Sequence, residues 1–286
     1  MERTGTRGYT GPCRRAEYRT PGRRLASHTD KRLHRGVAAV NILAIDCSTD
    51  IMAVALGRGY GDAERGPRVA KHPYREERGH ATAPGRGLVT LSVDAGFRHA
   101  ERLMGSIEYC LAEAGLGKDE LDLIVCAEGP GSFTGLRIAM ATAKGLALGL
   151  SRPFVAVSTL DAYAAEWAGC APVVVPILDA KRSRFFYAIY EGSALRAGPF
   201  DDTLDSVISR VNGYPEVLFV GPDTDMLEGI GADRSGFRLA SARRRSPVAS
   251  LVELGLERFI HKGPSPSDAA PNYLRASDAE ESAAKG

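Results

Sequence analysis

At 286 residues the chain has room for one large or two small domains, and 44% hydrophobic with 25% charged content fits a globular protein, not a fibrous or low-complexity one. No apolar run reaches the ~18 residues of a membrane span, and the N-terminus has no apolar core of a secretory signal. The net charge of +2 averages two unlike pieces: residues 1–40 carry ten basic and three acidic residues (+7), while the remainder carries 27 basic and 32 acidic residues (−5), which argues against a broad basic nucleic-acid footprint on the folded body.

Residues 1–40 are rich in Arg, Gly, Pro and Thr and poor in large apolar side chains. They lack the burial that would offset the entropy of ordering, so a disordered basic extension is expected. Its composition fits a nucleic-acid arm or an organellar transit peptide. Ile42 to Asp46 reads as an apolar strand. Cys47-Ser-Thr-Asp50 supplies small polar turn residues, and Met52 to Leu56 returns as the second strand of a hairpin. Residues 58–87, full of Gly, Pro, Arg and Glu, read as a mobile insertion. Val89 to Val93 alternates apolar and polar residues as a third strand. Arg98 to Ala114 has helical spacing, with Leu103, Met104, Ile107, Leu111 and Ala114 on one face. Leu121 to Ala127 reads as a buried strand.

Gly129 to Arg137, GPGSFTGLR, joins that strand to a helix over Leu136–Leu150. Glycines permit positive φ and close backbone approach. Ser132 or Thr134 can cap the helix, and the free N–H groups there could hold an anion. A tight capped turn is the first reading and a phosphate cradle the second; no Gly-Lys-Ser/Thr follows, so this is not a P-loop. The helix itself is apolar nearly all round, which predicts burial on more than one side. Phe154–Val157 then reads as a strand and Leu160–Trp167 as a helix. Val173–Leu178 and Phe185–Tyr190 read as a second hairpin. Leu204–Val211 and Val248–His261 read as helices, Val217–Val220 as a strand, and residues 277–286 as a frayed tail. The two starts, ILAIDCST and VPILDAKR, look like a duplicated lobe. The five cysteines (13, 47, 110, 126, 170) are widely spaced and read as reduced thiols without a disulfide or zinc framework.

GPGSFTGLR and ILAIDCST together resemble the TsaB (YeaZ) family. GLALGL at Gly145–Leu150, VAVSTLDA at Val155–Ala162, ILDAKRSRFFYAIY at Ile177–Tyr190 and PNYLR at Pro271–Arg275 follow in the family's order, so the resemblance covers residues 41–276. It implies an α/β, two-lobe actin/hexokinase/Hsp70-like (ribonuclease H-like) fold of mixed sheets flanked by helices. The expected lobes are 41–150 and 151–276. The family's chains begin a residue or two before the ILAID strand, so an initiation codon assigned too early becomes the leading reading of residues 1–40. The signature loop is Gly129, Pro130, Gly131, Ser132, Phe133, Thr134, Gly135 and Arg137.

The resemblance also implies a cytoplasmic, non-catalytic partner of the related TsaD subunit in making threonylcarbamoyladenosine at position 37 of tRNA. The TsaE ATPase joins the pair, tRNA is reached through the complex, and a homodimer can form when TsaD is absent. ATP and metal are expected on TsaD and TsaE, with no cofactor on this chain. The alternatives are an ATP- and metal-dependent transferase or peptidase of the TsaD type, and a small-molecule kinase of the same fold. Two acidic residues, Asp46 and Asp179, open matching turns and could form a metal or phosphate pair; capping of their own turns is the simpler reading. The six histidines contain no His-x-x-x-His pair of the TsaD metal helix. Partner contacts are expected from the first-lobe helices through His99, Leu103, Ile107, Leu111, Leu136, Met140 and Ala143.

Overall fold

The computed structural model describes residues 39–60, 87–228, 236–241 and 245–275. Expectations for residues 1–38, 61–86 and 276–286 lie outside the described residues.

Two five-stranded mixed sheets repeat one topology. In the first, β1 (Val40–Asp46), β2 (Ile51–Tyr60) and β3 (Gly87–Asp94) form an antiparallel meander. β4 (Leu123–Gly129) and β5 (Phe154–Ser158) extend β1 in parallel, giving the order β3-β2-β1-β4-β5. In the second, β6 (Val173–Asp179), β7 (Arg184–Glu191) and β8 (Ala194–Thr203) form the meander. β9 (Val217–Gly221) and β10 (Phe237–Ser241) extend β6 in parallel. The duplication read from the two strand starts is therefore carried by both whole sheets.

The helices are α1 (His99–Ala114), α2 (Phe133–Leu150), α3 (Thr159–Glu166), α4 (Leu204–Val211) and α5 (Val248–Lys262). β1 is buried on both faces, which is why its apolar run is nearly continuous. Leu43 and Ile45 point with Met52 and Val54 into a core shared with α1 and α2. Ile42 and Ala44 point the other way, onto Leu251, Val252 and Phe259 of α5. The period of two along the strand thus needs two covers, and the second arrives some 200 residues later in the chain. Gly255 lets α5 approach closely, since a Cβ there would lie 2.4 Å from Val125 Cγ2. α3 lies between the sheets: Ala162 joins the first-sheet core, and Leu160, Tyr163 and Ala164 join the second. Among the described residues no helix is long and apolar enough to cross a membrane.

Several boundaries differ from the sequence reading. β2 continues to Tyr60, which pairs with Val40, and Arg58 pairs with Gly87, so both ends of the expected 58–87 insertion are strand. β5 lies past the expected lobe boundary at residue 150 yet pairs with β4, and α5 belongs to the first sheet's layer. Sequence proximity is a poor guide here because the chain returns to the first lobe at α5 after building the second sheet. β8 and β10 are unheralded in the sequence. Both are edge strands, and β8 contains Gly198-Pro199, where its register on β7 shifts; edge strands tolerate proline and polar residues because one side forms no ladder.

Candidate functional site

The signature turn packs backbone to backbone against the β1–β2 turn. A Cβ on Gly131 would lie 2.2 Å from the Ser48 carbonyl oxygen, and one on Gly135 would lie 2.0 Å from that of Cys47. Gly129, at φ +107°, faces the Asn272 carbonyl on its other side. The Ser132 N–H donates to Ser48 O at 2.6 Å, and the Leu136 N–H donates to Ser132 O at 2.9 Å. Ser132 Oγ accepts the Gly135 N–H at 3.3 Å and caps α2, which starts at Phe133, three residues before the apolar periodicity does. Thr134, the other candidate cap, is exposed. Three turn amides are thus engaged within the chain, as the capped-turn reading requires.

Asp46 and Asp179 are both engaged by their own surroundings. Asp46 is wholly buried; its Oδ1 accepts the Ser48 N–H at 2.8 Å and its Oδ2 accepts the Ser246 hydroxyl. Asp179 Oδ1 accepts the Lys181 N–H at 2.7 Å, while Oδ2 forms an ion pair with Lys181 Nζ at 2.8 Å. Both carboxylates thus cap their own turns, the simpler of the two roles the sequence offered them.

A C-terminal strap joins the two lobes across the signature turn. The Ser265 N–H donates to Phe154 O at 2.8 Å, and Lys144 Nζ donates to Ala269 O at 2.9 Å. The Asn272 N–H then donates to Glu128 O at 2.6 Å. Tyr273 lies over Phe133 with ring centroids 4.9 Å apart, and its hydroxyl accepts Arg137 Nε at 2.8 Å. Leu274 packs against the second-lobe core, and Arg275 forms a bidentate pair with Asp201 at 2.7–2.8 Å. The Arg275 Nη1 donates to Ala180 O at 3.0 Å. The PNYLR motif therefore ties first-lobe loop to second-lobe sheet.

The first-lobe helices bury most of the residues expected at a partner surface. Leu103 is 1% and Ile107 2% exposed; Leu136, Met140 and Ala143 are buried beside them, and Leu111 packs partly against the same core. His99 is buried too, and its Nε2 donates to Thr49 O at 2.9 Å, tying α1 to the β1–β2 turn. These seven positions serve the lobe's interior, because helical spacing marks an apolar stripe without saying what covers it. The outward faces carry other residues. Phe97 before α1 is fully exposed, as are large parts of Met104 and Tyr109, and Leu148 of α2 is 83% exposed. On α2, Thr134, Arg137, Ala141, Gly145 and Leu148 form one exposed stripe at helical spacing. The signal in the sequence was α2's all-round apolarity, with Leu148 opposite the buried side.

Burial shifts several groups. It pushes the Cys110 thiol up to about 11 and also raises Cys47 and Cys126, as suits unreactive core thiols. Burial also raises the Glu128 carboxyl above its ordinary value, opposed by Arg258 at 3.5 Å. Because the folded state holds that proton more tightly, this group's contribution to stability falls as pH rises from the ordinary carboxylate value through the raised one. The melting-temperature difference, wild type minus Glu128→Gln, should therefore be larger at pH 5 than at pH 7.5. Thermal scans at the two pH values check this; a difference that grows with pH would mean that pairing with Arg258 dominates.

The comparisons with known proteins agree with this architecture. The family model described as "TsaD: tRNA N6-adenosine threonylcarbamoyltransferase" matches residues 92–234. The tRNA threonylcarbamoyladenosine biosynthesis protein TsaB of Bacillus subtilis is 30% identical over 190 residues, covering 64% of this chain and 82% of the relative. The tRNA N6-adenosine threonylcarbamoyltransferase of Maricaulis maris is 35% identical over 140 residues, covering 49% of this chain and 36% of that protein. The solved structure of YeaZ from Pseudomonas aeruginosa superposes with a TM-score of 0.61 at 24% identity, covering 82% of this chain and all of that one, and shows the shared two-lobe actin-like fold. A match to the TsaD-type model, a TsaB relative aligned over most of its length, and the duplicated sheets joined at the signature turn place the chain in the TsaB (YeaZ) family of tRNA threonylcarbamoyladenosine biosynthesis proteins.

Proposed function

We propose that this chain is the non-catalytic partner of a TsaD-type subunit, required for threonylcarbamoyl transfer to adenosine 37 of tRNAs that read codons starting with A. The observation that carries this reading is the outward face of α1 and α2, which leaves Phe97, Met104, Tyr109 and Leu148 in solvent beside small residues that permit close helix approach. Large apolar side chains exposed together on one pair of neighbouring helices favour an interaction site there. The engagement of Asp46 and Asp179 as turn caps supports a chain that holds no nucleotide or metal of its own. ATP and metal then sit on TsaD and on the TsaE ATPase, tRNA is reached through the complex in the cytoplasm, and the same face pairs two copies when TsaD is absent. A TsaD-type transferase is the competing reading; the sequence lacks the His-x-x-x-His helix that it needs.

The test is co-purification with the cognate TsaD-type protein, followed by an in vitro tRNA modification assay with and without this chain. Modification should require both proteins, and the isolated chain should show no ATP hydrolysis or proteolysis at an enzymatic rate. Metal-dependent turnover by the pure chain, abolished by changing Asp46 or Asp179, would overturn the reading.

A further inference from the structure

The side chain of Arg137 is exposed, yet it is held more firmly than a surface arginine usually is. Its guanidinium carbon lies 3.8 Å from the Phe133 ring centroid and 5.7 Å from that of Tyr273. Its Nε donates to the Tyr273 hydroxyl at 2.8 Å. The floor under it is itself anchored: Phe133 opens α2, and Tyr273 is fixed between the Asn272–Glu128 backbone bond and the Arg275–Asp201 pair. The other well-fixed arginines, Arg184, Arg258 and Arg275, each meet a carboxylate. Among the described residues Arg137 meets none, and its two terminal Nη groups have no hydrogen-bond partner. The Tyr273 hydroxyl accepts from Nε, which leaves its own proton free to donate.

We infer that Arg137, Phe133 and Tyr273 form a carboxylate-receiving point on the partner face, taking an Asp or Glu side chain of the TsaD-type subunit. The inference rests on the function proposed above and names a recognition element within it. A planar guanidinium with two free Nη groups matches a carboxylate bidentately, and the stacked rings hold it in that orientation before contact, which lowers the entropy lost on pairing. Its position supports the same occupant: Arg137 lies on the exposed α2 stripe that runs from Thr134 to Leu148. A protein carboxylate is favoured over RNA phosphate because the body outside residues 1–40 carries 27 basic and 32 acidic residues, a poor field for a polyanion. The strap also gives the second lobe a say in the contact, since Arg275 anchors the chain to Asp201 two residues after Tyr273, and Tyr273 holds Arg137. Tyr273 is a positioning residue in this scheme.

The full-length chain and the cognate TsaD-type protein are titrated calorimetrically at low and moderate salt. Arg137→Gln should weaken binding about 10- to 100-fold, Arg137→Glu more, and Tyr273→Phe about 3- to 10-fold, each with an unchanged melting temperature. Arg137→Gln should also flatten the salt dependence of the affinity, which a purely structural role would not move. Unchanged affinity and salt dependence in folded Arg137→Gln, with Leu148→Glu still abolishing binding, would overturn the inference and leave the proposed function standing. No binding by the wild-type chain would overturn both. Loss of tRNA binding by Arg137→Gln, with protein affinity intact, would show that the anion is phosphate and likewise overturn it.

Discussion

Gly135→Ala should destabilise the protein by about 3–5 kcal/mol, a loss near the upper end for single substitutions. The added Cβ would lie 2.0 Å from the Cys47 carbonyl oxygen. Neither side can yield cheaply. Cys47 is buried at the end of β1, beside the Asp46 side chain and the Ser48 amide that it binds. Gly135 is held in the first turn of α2 by its bond to Ser132 Oγ. Relief requires shifting the helix against the sheet and breaking the contact between the two turns. In a domain pair of this size each kcal/mol moves the melting temperature by about 2–4 °C, so a drop on the order of 10 °C is expected. Gly145→Ala is the matched control. It lies on the same helix, nothing stands within 4 Å of its added Cβ, and a gain of about 0.5–1 kcal/mol in helix stability is expected. Thermal unfolding of the two variants side by side is the measurement. A Gly135→Ala protein that melts within 2 °C or so of wild type, against the loss expected from overpacking, would show that the turns are not locked together.

The partner face predicts an equally large contrast between neighbouring leucines. Leu148→Glu should leave folding and circular dichroism unchanged, because that side chain is 83% exposed. It should nevertheless weaken binding to the TsaD-type subunit at least ~30-fold, the loss of a central interface residue worth about 2 kcal/mol or more. Leu103→Glu should do the reverse of a clean interface variant. Its side chain is buried among Ile107, Met52 and Met140, so an uncompensated charge there costs on the order of 3–5 kcal/mol and yields little folded protein. Ile107→Glu and Met140→Glu should follow Leu103→Glu for the same reason. Pull-down with the TsaD-type subunit, circular dichroism and an unfolding curve separate the two classes. If folded Leu148→Glu binds with full affinity, the α1–α2 face is not the contact, and the second lobe from Ala171 onward becomes the surface to map.

Much of the fold was legible in the sequence because its signals are local. β1 and β4 announce themselves as continuous apolar runs, since strands buried on both faces need no alternation. The signature turn is equally legible: only glycine fits where a backbone oxygen stands near 2 Å from the Cβ position, and Ser132 caps from within the motif. Asp46 was readable as a turn cap from the small polar residues that follow it, and Asp179 from its matching place at the end of the second lobe's first strand. Edge strands β8 and β10 were not readable, because half of each lies outside any ladder and proline, glycine and charge are tolerated there.

What only the tertiary structure decided is which surface covers which. Leu103, Ile107, Leu136, Met140 and Ala143 have the spacing of a buried stripe, and the sequence alone does not distinguish burial under the lobe's own sheet from burial under a partner. The sheet claims all five, which leaves Phe97, Met104, Tyr109, Arg137 and Leu148 on the outside, where the partner face is proposed. The same holds for the long-range pieces. That α5 would cover the first sheet, that Ser246 would bind Asp46, and that Tyr273 would seat Arg137 depend on contacts spanning more than a hundred residues. Such contacts depend on where the two lobes bring distant segments together, and no local pattern of residues encodes that.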